Sequence, residues 1–212
     1  MKTAFVDLHH ATAVRREVGR IARVMKRGGL VVFPTDTFYG LGGDGLSPEL
    51  IRKIYALKRR EASKPLLVLI SETGMAADLA VDIPSLFWEV AEKFWPGPLT
   101  AVLRASPRVP PELGGGTETI ALRLPAVPWL RELVREAGFP VIATSANISG
   151  EGEISTAERA RSEFDGKVDM IVDGGTTPGG LPSTVLDLSS AKPKILREGA
   201  VPAAALLDIL GE

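Results

Sequence analysis

The stretch ATSANISG, residues 143–150, places several short polar side chains directly after the apolar run 140–143. A strand that leaves a core usually passes to one turn residue or to a charged helix cap. Hydroxyl and amide groups at this density, with hardly a charge nearby, suggest hydrogen bonding to a neutral or anionic ligand. The side chains in question are Thr144, Ser145, Asn147 and Ser149.

Basic residues cluster where a predicted helix ends, at Lys58, Arg59, Arg60 and Lys64. Cations in this position favour the negative end of the helix dipole, so one interpretation is simple helix termination. The other interpretation is a phosphate clamp, because ammonium and guanidinium groups are strong partners for phosphate oxygens. The residues alone leave the two interpretations about equal.

A single arginine interrupts the apolar strand pattern ALRLP, residues 121–125. Alternation along a strand puts Arg123 on the face opposite Leu122 and Leu124, away from the core. It is then either a solvated arginine or the partner of a carboxylate on a concave sheet face, where bidentate pairing is available. Arg197, in ILRE, poses the same choice.

Other reaction types find little support in the sequence. The glycine-rich stretches 40–45 and 114–116 lack the spacing of a Walker A loop or a dinucleotide fingerprint, so each is predicted to be a turn. His9 and His10 are the only histidines, adjacent and near the N-terminus, and GxSxG is absent. We therefore predict neither nucleophilic hydrolysis nor a histidine metal site.

A constellation of donors is left, and it contains no strong general base. Such a set suits an anionic ligand with several polar groups, and catalysis by positioning and charge stabilisation, as in phosphoryl or nucleotidyl transfer. Its members are Lys58, Arg60, Arg123 and Arg197 with Thr35, Thr37, Thr119, Ser145, Asn147, Ser155 and Ser183.

Composition narrows the class of protein. The chain has 212 residues, is 45% hydrophobic and contains no cysteine, and no apolar run is long enough to span a bilayer. These features favour a cytoplasmic globular protein without a membrane partner. The net charge of −1 argues against binding nucleic acid by bulk charge, although the basic patch at 58–64 permits local contacts.

The elements that must position these residues follow from periodicity and turn signals. Predicted helices cover 12–26, with Thr12 as cap, then 48–60, 85–94, 128–138, 156–164 and 202–210. Predicted strands cover 30–33, 65–70, 99–105, 120–124, 140–146, 169–175, 183–189 and 194–198, and residues 34–45 are predicted to be a loop. We expect an α+β fold, three-layered (α/β/α), with a twisted mixed parallel and antiparallel sheet, in one domain spanning 1–212.

Seven motifs, in order, resemble the YrdC-like family of threonylcarbamoyl-AMP synthases. They are FPTDTFYGLG (33–42), KRR…KPL (58–66), WPGPLT (95–100), ALRLP (121–125), ATSANISG (143–150), LPSTVLDL (181–188) and ILREG (195–199). The resemblance implies a YrdC-like fold with a concave ligand-binding face. It also implies a nucleotidyltransferase that combines L-threonine, bicarbonate and ATP into threonylcarbamoyl-AMP and pyrophosphate, for threonylcarbamoyladenosine at position 37 of certain tRNAs.

The resemblance also implies roles for individual residues. Lys58 and Arg60 would be catalytic, and Arg123 would face the carboxylate of L-threonine. The L-threonine site would comprise Thr37, Arg123, Ser145 and Ser183; the ATP site would comprise Lys58, Arg60, Lys64, Thr119, Asn147, Ser155 and Arg197. Mg²⁺ would arrive with ATP, held by its oxygens and by water, with no protein metal site. Downstream tRNA-modification proteins would be the partners.

Three positions depart from the family pattern: Glu61 replaces a proline, Lys64 replaces an asparagine, and Leu69 replaces a histidine that contacts threonine in some members. The last change bears on amino-acid specificity and leaves a catalytically silent paralogue as an alternative. Because the chain ends soon after ILREG, we expect the short, single-domain branch. A further alternative is a module that binds double-stranded RNA or tRNA through the basic patch.

Overall fold

A computed structural model describes residues 2–8, 11–148, 150 and 152–210, and leaves out the side chains of 11–13. His9, His10 and Ser149, together with the predicted cap side chain of Thr12, lie outside the described residues. None of the helices in these ranges combines the length and apolar composition of a bilayer-spanning segment.

With one short exception, the helices form where the apolar spacing and the caps predict them. Ser47 accepts a hydrogen bond from the Leu50 amide at 3.3 Å, with Pro48 in the first turn, and Thr156 caps α6 in the same way. The helices are α1 (Ala11–Lys26), α2 (Pro48–Lys58), α3 (Ala76–Leu79), α4 (Ser85–Phe94), α5 (Pro128–Ala137), α6 (Ala157–Phe164) and α7 (Ala203–Leu210). The short α3, which follows a 3₁₀ turn at Thr73–Met75, was not predicted.

The strands belong to two hydrogen-bonded sheets. They are β1 (Ala4–Asp7), β2 (Val31–Pro34), β3 (Tyr39–Gly42), β4 (Leu67–Leu69), β5 (Ala80–Val81), β6 (Leu99–Ala105), β7 (Thr119–Arg123), β8 (Val141–Ile142), β9 (Thr144–Ser145), β10 (Met170–Asp173), β11 (Thr184–Asp187) and β12 (Lys194–Arg197). The segment 140–146, predicted as one strand, contributes β8 to one sheet and β9 to the other.

Both sheets mix parallel and antiparallel pairs, as predicted, but the strands divide between two sheets and not the single sheet expected from the sequence. The first sheet has the order β1-β10-β2-β3-β9, parallel from β1 to β2 and antiparallel beyond. The second has the order β12-β11-β6-β7-β4-β8, with β5 paired to β6. In it, β11 and β6 are parallel, as are β4 and β7, while the other neighbours are antiparallel.

The prediction of a loop across 34–45 is wrong at β3. This segment pairs with β2 in register and with β9 on its other side. A Cβ atom at Gly42 would overlap the carbonyl oxygen of Ile142. Its glycine therefore serves a close approach between strands rather than a turn.

Apolar side chains cover both faces of the first sheet and one face of the second. The other face of the second sheet joins a core at β4 and β8, through Leu69 and Val141. In β2, Val31 and Phe33 pack into one core with α1 and α5, while Val32 packs into the other core with α2 and α4. In β7, Ile120 and Leu122 pack into the same core as Val32. The opposite face of β7 and its neighbouring strands is thus available to line a cavity.

Gly42→Ala should lower the free energy of unfolding by about 3 kcal/mol or more, since the new methyl group meets backbone rather than a movable side chain. Urea denaturation measures this change. Gly19→Ala is the matched control, because a Cβ there meets only the Arg23 side chain at 3.7 Å. That helical substitution should stabilise the protein by about 0.5–1 kcal/mol. Equal effects from both would contradict the close-approach interpretation.

Candidate functional site

The open face of the second sheet forms the floor of a cavity of about 490 Å³. The floor consists of alternate residues from four adjacent strands, and the register aligns them: Leu69 is opposite Arg123, and Val102 is opposite both Ala121 and Asp187. The floor side chains are Leu67, Leu69, Thr100, Val102, Thr119, Ala121, Arg123, Val185 and Asp187. The predicted concave face is therefore present.

Arg123 lies on this floor, on the face that strand alternation predicts, but it is only 6% exposed. Its Nη2 donates to Asp36 Oδ2 at 2.5 Å, and its Nε donates to the Gly97 carbonyl at 3.1 Å. Burial lowers the pKa of this guanidinium, and the Asp36 carboxylate opposes that shift. The interpretation of Arg123 as a solvated strand arginine is thus wrong.

Asp36 belongs to the turn that connects β2 to β3, and this turn forms one wall of the cavity. The Thr35 amide donates to the Phe38 carbonyl at 3.2 Å, and the Thr35 hydroxyl donates to the same carbonyl at 2.6 Å. Thr37, a predicted site residue, contacts Thr35 Oγ1 through its own hydroxyl at 3.2 Å. The turn therefore carries both Asp36 and Thr37 in a tightly hydrogen-bonded frame.

A second arginine borders the cavity at β12. Arg197 donates from Nη2 and Nε to the Ser183 carbonyl, at 2.8 and 3.2 Å, and Ser183 Oγ lies 2.9 Å from Thr100 Oγ1. Burial lowers the pKa of the Arg197 guanidinium; nearby Glu153 opposes this shift and Arg123 adds to it. The predicted site residues Ser183 and Arg197 are therefore in contact, and the charge of Arg123 is close enough to act on Arg197.

Arg60 and Thr119 line the same cavity. Arg60 donates to the carbonyls of Lys64 and Pro65, at 3.3 and 3.0 Å, and so holds the chain between α2 and β4. Thr119 Oγ1 lies 2.7 Å from the hydroxyl of Thr117, another lining residue. Both residues, which were predicted for an ATP site, therefore line the cavity.

Lys58 matches neither simple interpretation of the basic cluster. Its side chain is 1% exposed, and Nζ donates to the Ser145 carbonyl, to the Asn147 carbonyl at 2.6 Å and to Asn147 Oδ1 at 3.3 Å. The Ser145 hydroxyl also donates to Asn147 Oδ1, at 2.7 Å. Three acceptors match the three N–H bonds of an ammonium group, so Lys58 fastens the 145–147 segment to α2.

Not every predicted residue lines the cavity. Lys58, Lys64, Asn147 and Ser155 lie outside its lining, whereas Thr37, Arg60, Thr119, Arg123, Ser145, Ser183 and Arg197 lie within it. Lys64 is exposed and pairs with Glu61 at 3.5 Å. The Ser155 carbonyl accepts a hydrogen bond from the Thr177 amide at 2.8 Å.

Three carboxylates that line the cavity were not predicted from the sequence, namely Asp36, Glu153 and Asp187. They balance the three lining arginines, Arg60, Arg123 and Arg197. Asp36 stands inside the quoted motif FPTDTFYGLG, yet nothing in its spacing links it to Arg123. Within the described ranges, no group of three or more His, Cys, Asp or Glu side chains could hold a metal ion.

The geometry defines a class of protein: an α+β chain whose concave sheet face carries a cavity lined by arginines and small hydroxyl groups. A sequence model of the family Sua5_yciO_yrdC, described as Telomere recombination, matches residues 23–199. The chain belongs to this Sua5, YciO and YrdC family, as its seven motifs predict.

Two curated relatives and one solved structure show the extent of the similarity. Threonylcarbamoyl-AMP synthase of Pyrococcus abyssi is 39% identical over 191 residues, covering 90% of this chain and 56% of that protein. Threonylcarbamoyl-AMP synthase of Bacillus subtilis is 35% identical over 215 residues, covering 100% and 62%. The structure of P. abyssi Sua5 complexed with L-threonine has a TM-score of 0.91 at 36% identity, again covering 100% and 62%. This confirms the predicted YrdC-like fold, and the chain spans less than two thirds of these relatives' length.

The buried ammonium of Lys58 should make the 145–147 segment sensitive to alkaline pH. Burial lowers the pKa of Lys58 to about 8, with a smaller effect from Arg60. A neutral amine has only two N–H bonds for three acceptors, so amide protection of this segment should fall severalfold between pH 7 and 9. Hydrogen exchange, corrected for intrinsic rates, measures it.

Lys58→Met should abolish the pH dependence in this segment, and α5 serves as the internal reference. Because the folded pKa lies below the ordinary lysine value of 10.5, the unfolded chain binds more protons between about pH 8 and 10.5. The contribution of this group to the free energy of unfolding therefore rises across that range, so its titration does not promote global unfolding. An equal loss of protection in α5 would contradict a local effect.

Proposed function

We propose that this chain is an L-threonylcarbamoyladenylate synthase, a nucleotidyltransferase that joins L-threonine, bicarbonate and ATP. The observation that carries the proposal is a single cavity in which Arg123, Ser183 and Arg197 lie close together, with Ser145 and Thr37 on the walls. Such a cavity offers cationic donors for a carboxylate and a phosphate together with hydroxyl groups for orientation. The names of the relatives given above support the same reaction.

L-Threonine would bind at the Arg123 end of the cavity. The Arg123 guanidinium would pair with the amino-acid carboxylate, since it is buried and already held in position by Asp36 and Gly97. Thr37, Ser145 and Ser183 would supply hydroxyl contacts. Leu69, opposite Arg123 in the β4–β7 register, would add apolar surface at the place where some relatives carry histidine.

ATP would bind along Arg60, Thr119 and Arg197, with its phosphates facing the two guanidinium groups. Lys58 would act on the nucleotide chiefly through the segment 145–147 that it fastens, including Asn147. Lys64 and Ser155 would meet the nucleotide only at the periphery or after a local adjustment, because they lie outside the cavity lining.

The reaction would proceed in two steps. The unprotonated amine of threonine attacks the carbon of CO₂ or bicarbonate and forms an N-carboxylate, with loss of a proton to solvent in the case of CO₂ and of water in the case of bicarbonate. An oxygen of that N-carboxylate then attacks the α-phosphorus of ATP; the new O–P bond forms, the α,β-bridging P–O bond breaks, and pyrophosphate leaves. Arg60 and Arg197 would stabilise the charge that develops on the phosphates.

Mg²⁺ would accompany ATP. The described residues offer no cluster of three or more metal-ligating side chains, and the polar groups that line the cavity are arginines, hydroxyl groups and three carboxylates. This donor set suits a metal ion held by nucleotide oxygens and water, where it neutralises phosphate charge. The adenylate product would pass to proteins that modify tRNA.

The reaction itself can be tested by pyrophosphate release from Mg·ATP, with L-threonine and bicarbonate omitted in turn, and by mass detection of the labile adenylate. We expect release only with all three substrates, because the N-carboxylate is the nucleophile. Release that ignores L-threonine, or no binding of ATP at all, would overturn the proposed function.

Arg123→Ala should weaken L-threonine binding by at least about tenfold, because a buried charge-assisted pair is lost. Arg123→Lys should weaken it less, since it retains the charge but not the fork of donors. Isothermal calorimetry measures both affinities. Arg104→Ala, which removes an exposed arginine paired with Asp82 at 2.8 Å, is the matched control and should have no effect. An unchanged threonine titration for Arg123→Ala would contradict the role of this residue.

A further inference from the structure

Between residues 15 and 27, every exposed side chain of α1 and of the residue after it is cationic. The buried side chains of this stretch include Val18, Ile21 and Met25, which pack into a core against the first sheet. Since successive residues turn by about 100° around a helix, the exposed positions lie together on the side away from that core. The six exposed side chains, together termed the cationic face, are Arg15, Arg16, Arg20, Arg23, Lys26 and Arg27.

Carboxylates neutralise only part of the cationic face. Glu17, the one acidic residue of α1, is 7% exposed, and its carboxylate lies 3.0 Å from Arg16 Nε and 3.5 Å from Arg20 Nη1. Arg15 Nε lies 3.5 Å from Glu132 Oε1 in α5. Within the described part of the chain, three members of the face form no ion pair, namely Arg23, Lys26 and Arg27.

The energetics of the helix alone do not account for this arrangement. The helix dipole favours cations only in the last turn, which includes Arg23 and Lys26. It gives nothing to Arg16 and Arg20, which are four residues apart, a spacing at which like charges destabilise a helix. An arrangement that opposes local stability and gains few internal contacts indicates a role toward a partner outside the chain.

Gly19 opens a gap in the middle of the cationic face. A Cβ atom at this position would meet only the Arg23 side chain, at 3.7 Å, so no neighbouring element in the described ranges requires glycine there. Glycine in a helix interior costs stability relative to alanine, and it lets another chain approach closely. Beside this gap, a row of four arginines about 16 Å long runs along the helix. Its members are Arg16, Arg20, Arg23 and Arg27.

We propose that the cationic face docks an acidic helix of a partner protein, whose carboxylates pair with the row of arginines and whose backbone passes over Gly19. Arginine suits this partner because its guanidinium fork matches a carboxylate. The row follows helical spacing, so glutamates on one side of a second helix reproduce it. None of the six cations lines the cavity, so the docked helix occupies a surface outside it.

The charge distribution favours an acidic helix over a nucleic acid, the other common partner of arginine rows. The chain has 25 Lys and Arg and 26 Asp and Glu, so without the six cations 19 remain against 26, a net charge of −7. An RNA duplex longer than the face brings further phosphates against that negative remainder, whereas a short helix contacts the face alone. The face also offers no aromatic side chain on which bases stack.

Two designed peptides test this assignment: an alanine-rich helix with glutamates in the spacing of the arginine row, and its counterpart with glutamines. Fluorescence anisotropy at about 50 mM salt, where exposed charges are weakly screened, measures the affinity of each. The unchanged chain should bind the glutamate peptide at least about tenfold more tightly. The triple variant Arg23→Gln, Lys26→Gln, Arg27→Gln should lose about tenfold in that affinity, because it removes the cations that lack an internal partner.

A variant with the same loss of charge on other surfaces is the matched control. It combines Lys53→Gln, Lys93→Gln and Lys192→Gln, three exposed lysines outside α1, and should keep its affinity. Circular dichroism should be unchanged in both variants, since every substituted side chain is exposed.

Three outcomes would overturn the proposal. Equal losses in the two triple variants would show attraction by bulk charge rather than by the cationic face. Failure of the unchanged chain to bind the glutamate peptide would remove the acidic helix as its partner. Tighter binding of a short RNA duplex than of the glutamate peptide, lost in the α1 variant alone, would reassign the face to nucleic acid.

Discussion

The ion pair between Arg123 and Asp36 joins the two sheets across the cavity. Arg123 lies at the end of β7 in the second sheet, and Asp36 lies in the β2–β3 turn of the first. Because a guanidinium at 6% exposure needs a partner, the turn is held where its carboxylate meets β7. The distance between the wall and the floor of the cavity therefore depends on this pair.

Lys58 imposes a second constraint of the same kind. Its ammonium, buried at the end of α2, binds the segment that follows β9 of the first sheet. Each buried cation thus ties a polar segment to an element that is itself packed in the core. Such buried interactions add little net stability. Because breaking one leaves an uncompensated buried charge, however, each of them fixes the position of the segment that it binds.

Periodicity was enough to predict most elements and the face of Arg123, because core contacts repeat along a helix or strand. Periodicity could not predict β3, because the glycines of this segment are typical of a turn. In the structure, Gly42 instead lies against the carbonyl of Ile142. The partner of Arg123 is 87 positions away, and that of Lys58 is equally remote. No local pattern encodes such pairs, so Asp36 was missed although the residue types had already singled out Arg123 and Lys58.

The substitution at Leu69 can be understood within this frame. Its backbone is opposite Arg123 in the β4–β7 ladder, and its side chain, 2% exposed, adjoins the cavity. A histidine there would give a ligand one more donor or acceptor, whereas leucine offers only apolar contact. The paired charges of Arg123 and Asp36 do not depend on that side chain. Under the proposed function, recognition of the ligand's carboxylate by Arg123 is therefore separable from recognition of its side chain, which would fall to Thr37, Ser145 and Ser183.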